Sequence, residues 1–178
     1  LERLAFTDEL TGLSNRKQFE TTLDSIEQQS RRTGGVFALL YVDLDNFKGI
    51  NDTFGRSAGD QVLRDVAATL KSRVRETDMV ARWGGDEFVI LLTNLQHSVL
   101  VSEVCEKLIA GVSTLKAPSG VPISASIGVA LYPADAQTIE ELHQCGDGAL
   151  YEAKTAGKNQ FKTYSTALQT EIARRRHL

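Results

Sequence analysis

Apolar positions along the chain switch between a helical spacing and continuous runs, and the switches predict its elements. Phe19, Leu23 and Ile26 share one face of a helix over RKQFETTLDSIEQQSRR, which Asn15 can cap and Gly34-Gly35 ends. VFALLYVDLD is apolar at nearly every position, as suits a central strand buried on both faces. FKGINDTFG follows as a short helical piece. Val62, Leu63, Val66, Ala67 and Leu70 then form an apolar stripe on a helix from about Gly59 to Val74. DMVARWGGDEFVILLT reads as two strands around a tight turn at Gly84-Gly85.

Ser98 starts a helix that runs to about Leu115, and a loop from Ala117 to Pro122 leads into the strand ISASIGVALY. Thr138 begins the helix IEELHQCGDGALYEAKTA, which Gly157 ends. FKTY is a short last strand, and the tail STALQTEIARRRHL has a helical pattern. The order α-β-α-α-β-β-α-β-α-β predicts one central mixed sheet with helices packed on it. Trp83 and Phe88 are expected to pack beside the turn, and Tyr151 to lie on an apolar helix face in the core. Gly146 and Gly148 stand inside a predicted helix, where each costs up to about 1 kcal/mol relative to Ala. Nothing in the sequence explains them.

Composition changes this picture little. The 178 residues are 42% hydrophobic and 24% charged, ordinary globular values for one domain or one domain plus a tail. A net charge of −3 argues against a broad nucleic-acid surface and leaves room for a single nucleotide held by local lysines. Cys105 and Cys145 form no metal or redox motif and suit a reducing compartment. His97, His143 and His177 fall in no ligand spacing. No apolar run approaches the roughly 20 residues of a membrane-spanning helix, and no signal-peptide pattern is present. The chain starts at Leu1, inside a helical pattern, so a piece of a longer protein is expected. The expectation is a cytoplasmic domain, with a membrane-anchored parent left open.

Candidate chemistry concentrates in three places. Asp43 and Asp45 end the first strand, at the rim of the sheet where ligand sites often lie, and Leu44 offers a carbonyl between them. Hard divalent cations bind such oxygen sets, and Mg2+ typically combines one or two carboxylates with substrate phosphates. Asp86 and Glu87 directly follow the glycine turn, where adjacent like charges favour a neutralising cation. Lys48 at a helix start, and Lys154 and Lys158 around a helix end, suit phosphates. Each feature alone is also what a polar strand end, an exposed hairpin or a solvated helix end looks like. Together they point to a nucleoside triphosphate site.

The segments that carry these residues resemble the GGDEF-domain family, the diguanylate cyclases. The signature is Gly84-Gly85-Asp86-Glu87-Phe88 after Arg82-Trp83. TDELTGLSNR, DLDNFKGINDTFG, AGDQVL, SASIGVA and ALYEAKTAGKN are similar to family segments and stand in family order, from about Leu4 to Tyr164. The resemblance implies an α+β fold: a central, mostly antiparallel sheet flanked by helices, like the palm domain of class III nucleotidyl cyclases. It implies a GGDEF domain over 1–164 and a helical connector over 165–178 toward a further domain. It also implies condensation of two GTP into cyclic di-GMP, with pyrophosphate released, by two copies of the domain that face each other as a homodimer.

Carried over by position, the resemblance makes Asp43, Asp86 and the Leu44 carbonyl ligands of Mg2+ or Mn2+, two ions per active site. Asp86 and Glu87 become catalytic, Glu87 beside the reacting 3′-hydroxyl. Lys48, with the backbone of Asn46 and Phe47, holds terminal phosphates together with Lys154 and Lys158. Asn51 and Asp60 read guanine, whose N1–H and exocyclic amine both donate. Arg75-Glu76-Thr77-Asp78 matches the family's RxxD site, so Arg75 and Asp78 would bind cyclic di-GMP as an inhibitor. Asn46 stands where an aromatic is frequent, Lys158 where arginine is common, and Arg56-Ser57 where His-Asp is frequent. Linked sensor and EAL phosphodiesterase domains are implied partners, and no nucleic acid polymer is. Two further readings remain: a silent GTP- or cyclic-di-GMP-binding module that controls an attached EAL domain, and another triphosphate-using palm enzyme. The intact signature weighs against the first, and Asp60 with RxxD against the second.

Overall fold

The computed structural model describes residues 5–96 and 99–165. Helix α1 (Arg16–Thr33) is followed by strand β1 (Phe37–Leu44), helices α2 (Phe47–Phe54) and α3 (Arg56–Ser72), and strands β2 (Met79–Gly84) and β3 (Glu87–Leu92). Helix α4 (Val99–Ser113), strand β4 (Ala125–Tyr132), helix α5 (Ile139–Thr155) and strand β5 (Phe161–Thr163) complete the order that the hydrophobic pattern predicts. The sheet runs β2-β3-β1-β4-β5. Every pairing is antiparallel except β4 with β5. The fold is therefore the expected α+β arrangement, a mostly antiparallel sheet flanked by helices. His97, Ser98, His177 and the tail beyond Ser165 lie outside the described residues.

Local chemistry accounts for the element ends. The Asn15 side chain accepts from the Gln18 N–H, the Thr138 side chain accepts from the Glu141 N–H, and Gly34 closes α1 with a φ of 76°. Two boundaries differ from expectation. Helix α3 begins at Arg56, not near Gly59, because Gly55 at φ 90° makes the break between α2 and α3. The hairpin turn is Gly85-Asp86, one residue later than expected, since Gly84 pairs with Glu87 across a register shift after Arg82.

All eight residues of β1 are buried, as a strand covered on both faces requires. Alternate residues feed two cores. Ala38, Leu40, Val42 and Leu44 meet Val62, Val66 and Leu70 of α3 and Cys105 and Leu108 of α4. Phe37, Leu39 and Tyr41 meet Phe19 and Leu23 of α1 and Leu142 of α5. No described helix is long and apolar enough to cross a membrane.

The unexplained Gly146 has a packing reason. A Cβ there would lie 2.1 Å from the Tyr41 ring, and one at Gly128 of β4 would lie 2.2 Å from the Leu150 backbone nitrogen. Two glycines thus let α5 rest directly on the sheet. The stripe that faces the sheet is Leu142, Gly146, Ala149 and Ala153. Tyr151 lies off this narrow stripe and is 70% exposed, which corrects its expected place in the core. Gly148 meets nothing within 4 Å, and the structure gives it no role.

Gly128→Ala is expected to destabilise the domain by about 3 kcal/mol, because backbone rather than a flexible side chain must move. Gly148→Ala should instead stabilise it by about 0.5–1 kcal/mol through helix propensity. Urea unfolding of the two variants checks both signs.

Candidate active site

The site begins where β1 leaves the core. Asp43 pairs in register with Glu87 of β3 on one side and Ser126 of β4 on the other. Cross-strand partners share a sheet face, so Asp43 and Glu87 project together toward the side covered by α1 and α5. Asp43 is only 4% exposed. Its Oδ2 accepts from the Lys154 ammonium of α5, and its Oδ1 is buried with no hydrogen-bond partner.

The turn carrying Asp86 is pinned against this strand end. The Leu44 N–H donates to the Asp86 carbonyl at 3.2 Å. The Arg82 guanidinium donates to the Gly85 carbonyl at 2.9 Å and to Asp8 at 3.3 Å. Asp8 also accepts from the Thr11 hydroxyl at 2.7 Å. The early TDELTG segment is thus a brace for the turn, a role that its sequence alone does not reveal.

Asp45 departs from its reading as a rim carboxylate for a metal. It accepts from the hydroxyls of Ser124 at 2.6 Å and Ser126 at 2.7 Å and from the Asn159 N–H at 3.0 Å. It ties the end of β1 to the start of β4 and to the loop after α5. Lys158 stands in that loop at φ 63°, its N–H donating to the Ala153 carbonyl at 3.0 Å. Asp45 is therefore a positioning residue beside the lysines.

Partial burial, then Asp86 and Asp147, raise the Glu87 carboxyl above its ordinary value, and Arg16 opposes them. Burial and the neighbouring Lys158 charge push Lys154 down, while its ion pair with Asp43 works the other way. Beneath the site, burial raises the Tyr41 hydroxyl and lowers His143. The hydroxyl keeps its proton and contacts His143 Nδ1. His143 faces Trp83, whose ring is 5.7 Å from Phe19 edge-on and is covered by Arg16 at 4.2 Å. Trp83 and Phe88 pack as expected, with Phe88 fully buried.

Among the described residues, no group of three His, Cys, Asp or Glu side chains converges tightly enough to hold a metal unaided. The donors nonetheless fit a hard divalent cation that keeps places for substrate oxygens. Asp43 offers an unpartnered buried oxygen, and Asp86 stands on a turn fastened to Leu44.

Helix α2 starts directly past this edge. Its N-cap Asn46 has φ 57°, a left-handed conformation that asparagine tolerates. Phe47 is buried and Lys48 exposed. Asn51 of α2 lies against α3, where a Cβ on Gly59 would fall 1.7 Å from its Oδ1. Gly59, directly before Asp60 in the chain, thus lets Asn51 pack against α3, and the Asn51 Oδ1 is buried without a hydrogen-bond partner. Arg75 and Asp78 lie elsewhere, between α3 and β2. Asp78 accepts from the Arg75 N–H at 2.9 Å, from Nη2 of its guanidinium at 2.9 Å and from the Thr93 N–H at 3.2 Å. The Arg75 side chain remains half-exposed.

Comparison with known proteins places the chain in a family. The family described as "Diguanylate cyclase, GGDEF domain" matches residues 5–160, and the chain belongs to it. MucR of Pseudomonas aeruginosa, named a bifunctional diguanylate cyclase/cyclic di-GMP phosphodiesterase, is 41% identical over 94% of this chain and 25% of its own length. The diguanylate cyclase DgcM of Escherichia coli is 42% identical over 90% of this chain and 38% of its own. The chain thus spans between a quarter and two fifths of the length of these two curated relatives. The solved GGDEF domain of YfiN (TpbB) from Pseudomonas aeruginosa superposes with a TM-score of 0.85 at 34% identity, covering 94% of this chain and 99% of that one. The coiled coil and GGDEF domain of DgcB from Caulobacter crescentus, in complex with c-di-GMP, gives 0.83 at 32%, covering 91% and 87%.

Two outcomes follow from the site's bonding. Asp45→Ala removes three hydrogen bonds at one buried carboxylate and is expected to cost about 2–4 kcal/mol in urea unfolding. Glu87 binds its proton more tightly folded than unfolded, so its ionisation lowers stability as pH rises above the ordinary carboxylate value. Glu87→Gln should therefore be more stable than the parent at pH 7, with the gap closing below about pH 4. Unfolding curves at both pH values without divalent ions test this.

Proposed function

We infer that this domain is a diguanylate cyclase, which condenses two GTP into cyclic di-GMP and releases two pyrophosphates. The observation that carries the reading is Asp43: a buried carboxylate with one unpartnered oxygen, directly across from Glu87 and beside the Asp86 turn. Asp43, Asp86 and the Leu44 carbonyl would hold Mg2+ or Mn2+, two per active site, which would lower the pKa of the 3′-hydroxyl and screen charge on the α-phosphate. Glu87 orients that hydroxyl, and its raised pKa suits it to take up the proton. Lys48, the Asn46 and Phe47 backbone, Lys154 and Lys158 hold the phosphates.

Asn51 and Asp60 select guanine. The unpartnered acceptor on Asn51 matches a guanine N–H donor, and the Asp60 carboxylate suits N1–H with the exocyclic amine. Adenine has an acceptor at N1 and would leave these oxygens unpaired. Each domain brings one GTP, so the working unit is two copies face to face. The domain acts in the cytoplasm, joined to an input domain; MucR, named a bifunctional cyclase and phosphodiesterase, supports an EAL phosphodiesterase domain as a further linked partner. At the RxxD site, cyclic di-GMP inhibits by engaging the half-exposed Arg75 and competing with it for Asp78.

Incubation with GTP and Mg2+ is expected to yield cyclic di-GMP and pyrophosphate, at a rate that rises faster than linearly with protein concentration. Asp86→Ala should lower the rate by at least about a hundredfold. No product at any concentration would favour the silent regulatory module instead. Added cyclic di-GMP should slow the initial rate of the parent and leave Arg75→Ala unaffected.

A further inference from the structure

The sequence places Lys154 among the phosphate ligands, yet the structure seats its ammonium on the carboxylate expected to hold metal. We propose that Lys154 and a divalent cation are alternative partners of Asp43, so that Lys154 opposes metal entry until a triphosphate draws it away. This rests on the reading of Asp43 as a metal ligand.

Four observations support it. Asp43 is 4% exposed, and a carboxylate that deeply buried needs a cation or a full set of donors beside it; Asp43 has no such set of donors. One of its oxygens is taken by Lys154 and the other has no partner, so an arriving ion would share one small anion with an ammonium and be repelled by it. Asp45 next door offers no refuge, since three donors already occupy it. The Lys154 side chain is 37% exposed, so its head can leave by rotamer changes while Gly128 and Gly146 keep α5 seated on the sheet. The released ammonium would join Lys158, whose charge already acts on it, in a pair suited to phosphates. Metal and triphosphate would then bind with positive coupling.

The test is Mn2+ binding without nucleotide, followed by electron paramagnetic resonance of the free ion, for the parent, Lys154→Met, Lys154→Arg and Asp43→Asn. Lys154→Met is expected to bind about tenfold tighter than the parent, equivalent to about 1.4 kcal/mol. Lys154→Arg should bind no tighter than the parent, and Asp43→Asn should lose the site. Circular dichroism confirms folding, and Lys154→Gln replaces Lys154→Met if the latter does not fold. Equal or weaker binding by Lys154→Met, with binding still lost in Asp43→Asn, overturns the competition but leaves Asp43 as a metal ligand. Binding that survives Asp43→Asn overturns both. Binding too weak to detect in both parent and Lys154→Met overturns the competition.

Discussion

A carboxylate taken out of water is costly unless a cation or a full set of donors answers it. Asp43 and Asp45 stand two residues apart at one strand end and meet this demand in different ways. Asp45 is satisfied by two serine hydroxyls and a backbone N–H, and this locks three chain segments together. Asp43 is answered on one oxygen by a lysine and on the other by nothing. The first is architecture. The second is an unsaturated anion held in a rigid setting, and the rest of the site is arranged around it.

That rigidity comes from the fold. β1 is the middle strand, buried on both faces and paired on both edges, so Asp43 has little freedom to retreat from its burial. β3 brings Glu87 opposite by register, and the Arg82–Asp8 brace holds the turn with Asp86 against Leu44. Helix α5 arrives close enough for Lys154 to reach the carboxylate because two glycines remove the side chains that would hold it away. A glycine in a helix weakens the helix, and here that local cost sets the depth of the site.

Much of this was legible in the sequence because strong periodicity and the family motifs agree. The order of elements, the fully buried β1, the Asn15 and Thr138 caps and the membership of the family all stand in the structure. What the sequence could not carry was pairing at a distance. Asp43 and Asp45 look alike as letters, and only contacts with residues far along the chain separate a free oxygen from a saturated clamp. Tyr151 misleads because its helical position reads as part of an apolar face, while the face that meets the sheet is a narrow stripe of mostly small residues. The Gly55 break shifts a helix start by about three residues and the Gly85-Asp86 turn lies one residue late, since several glycines nearby could serve equally in one dimension. The sequence marks Lys154 as a cation for the site but carries no sign of its partner Asp43.

The central claim is that Asp43 anchors metal while Lys154 serves the nucleotide. The most direct test is a crystal structure of this domain with Mn2+ and a non-hydrolysable GTP analogue, with the ions located by anomalous scattering. The account predicts Mn2+ on Asp43 and Asp86, guanine against Asn51 and Asp60, and the Lys154 ammonium on phosphate. Mn2+ bound away from Asp43, or Lys154 still seated on that carboxylate beside a bound triphosphate, would contradict it.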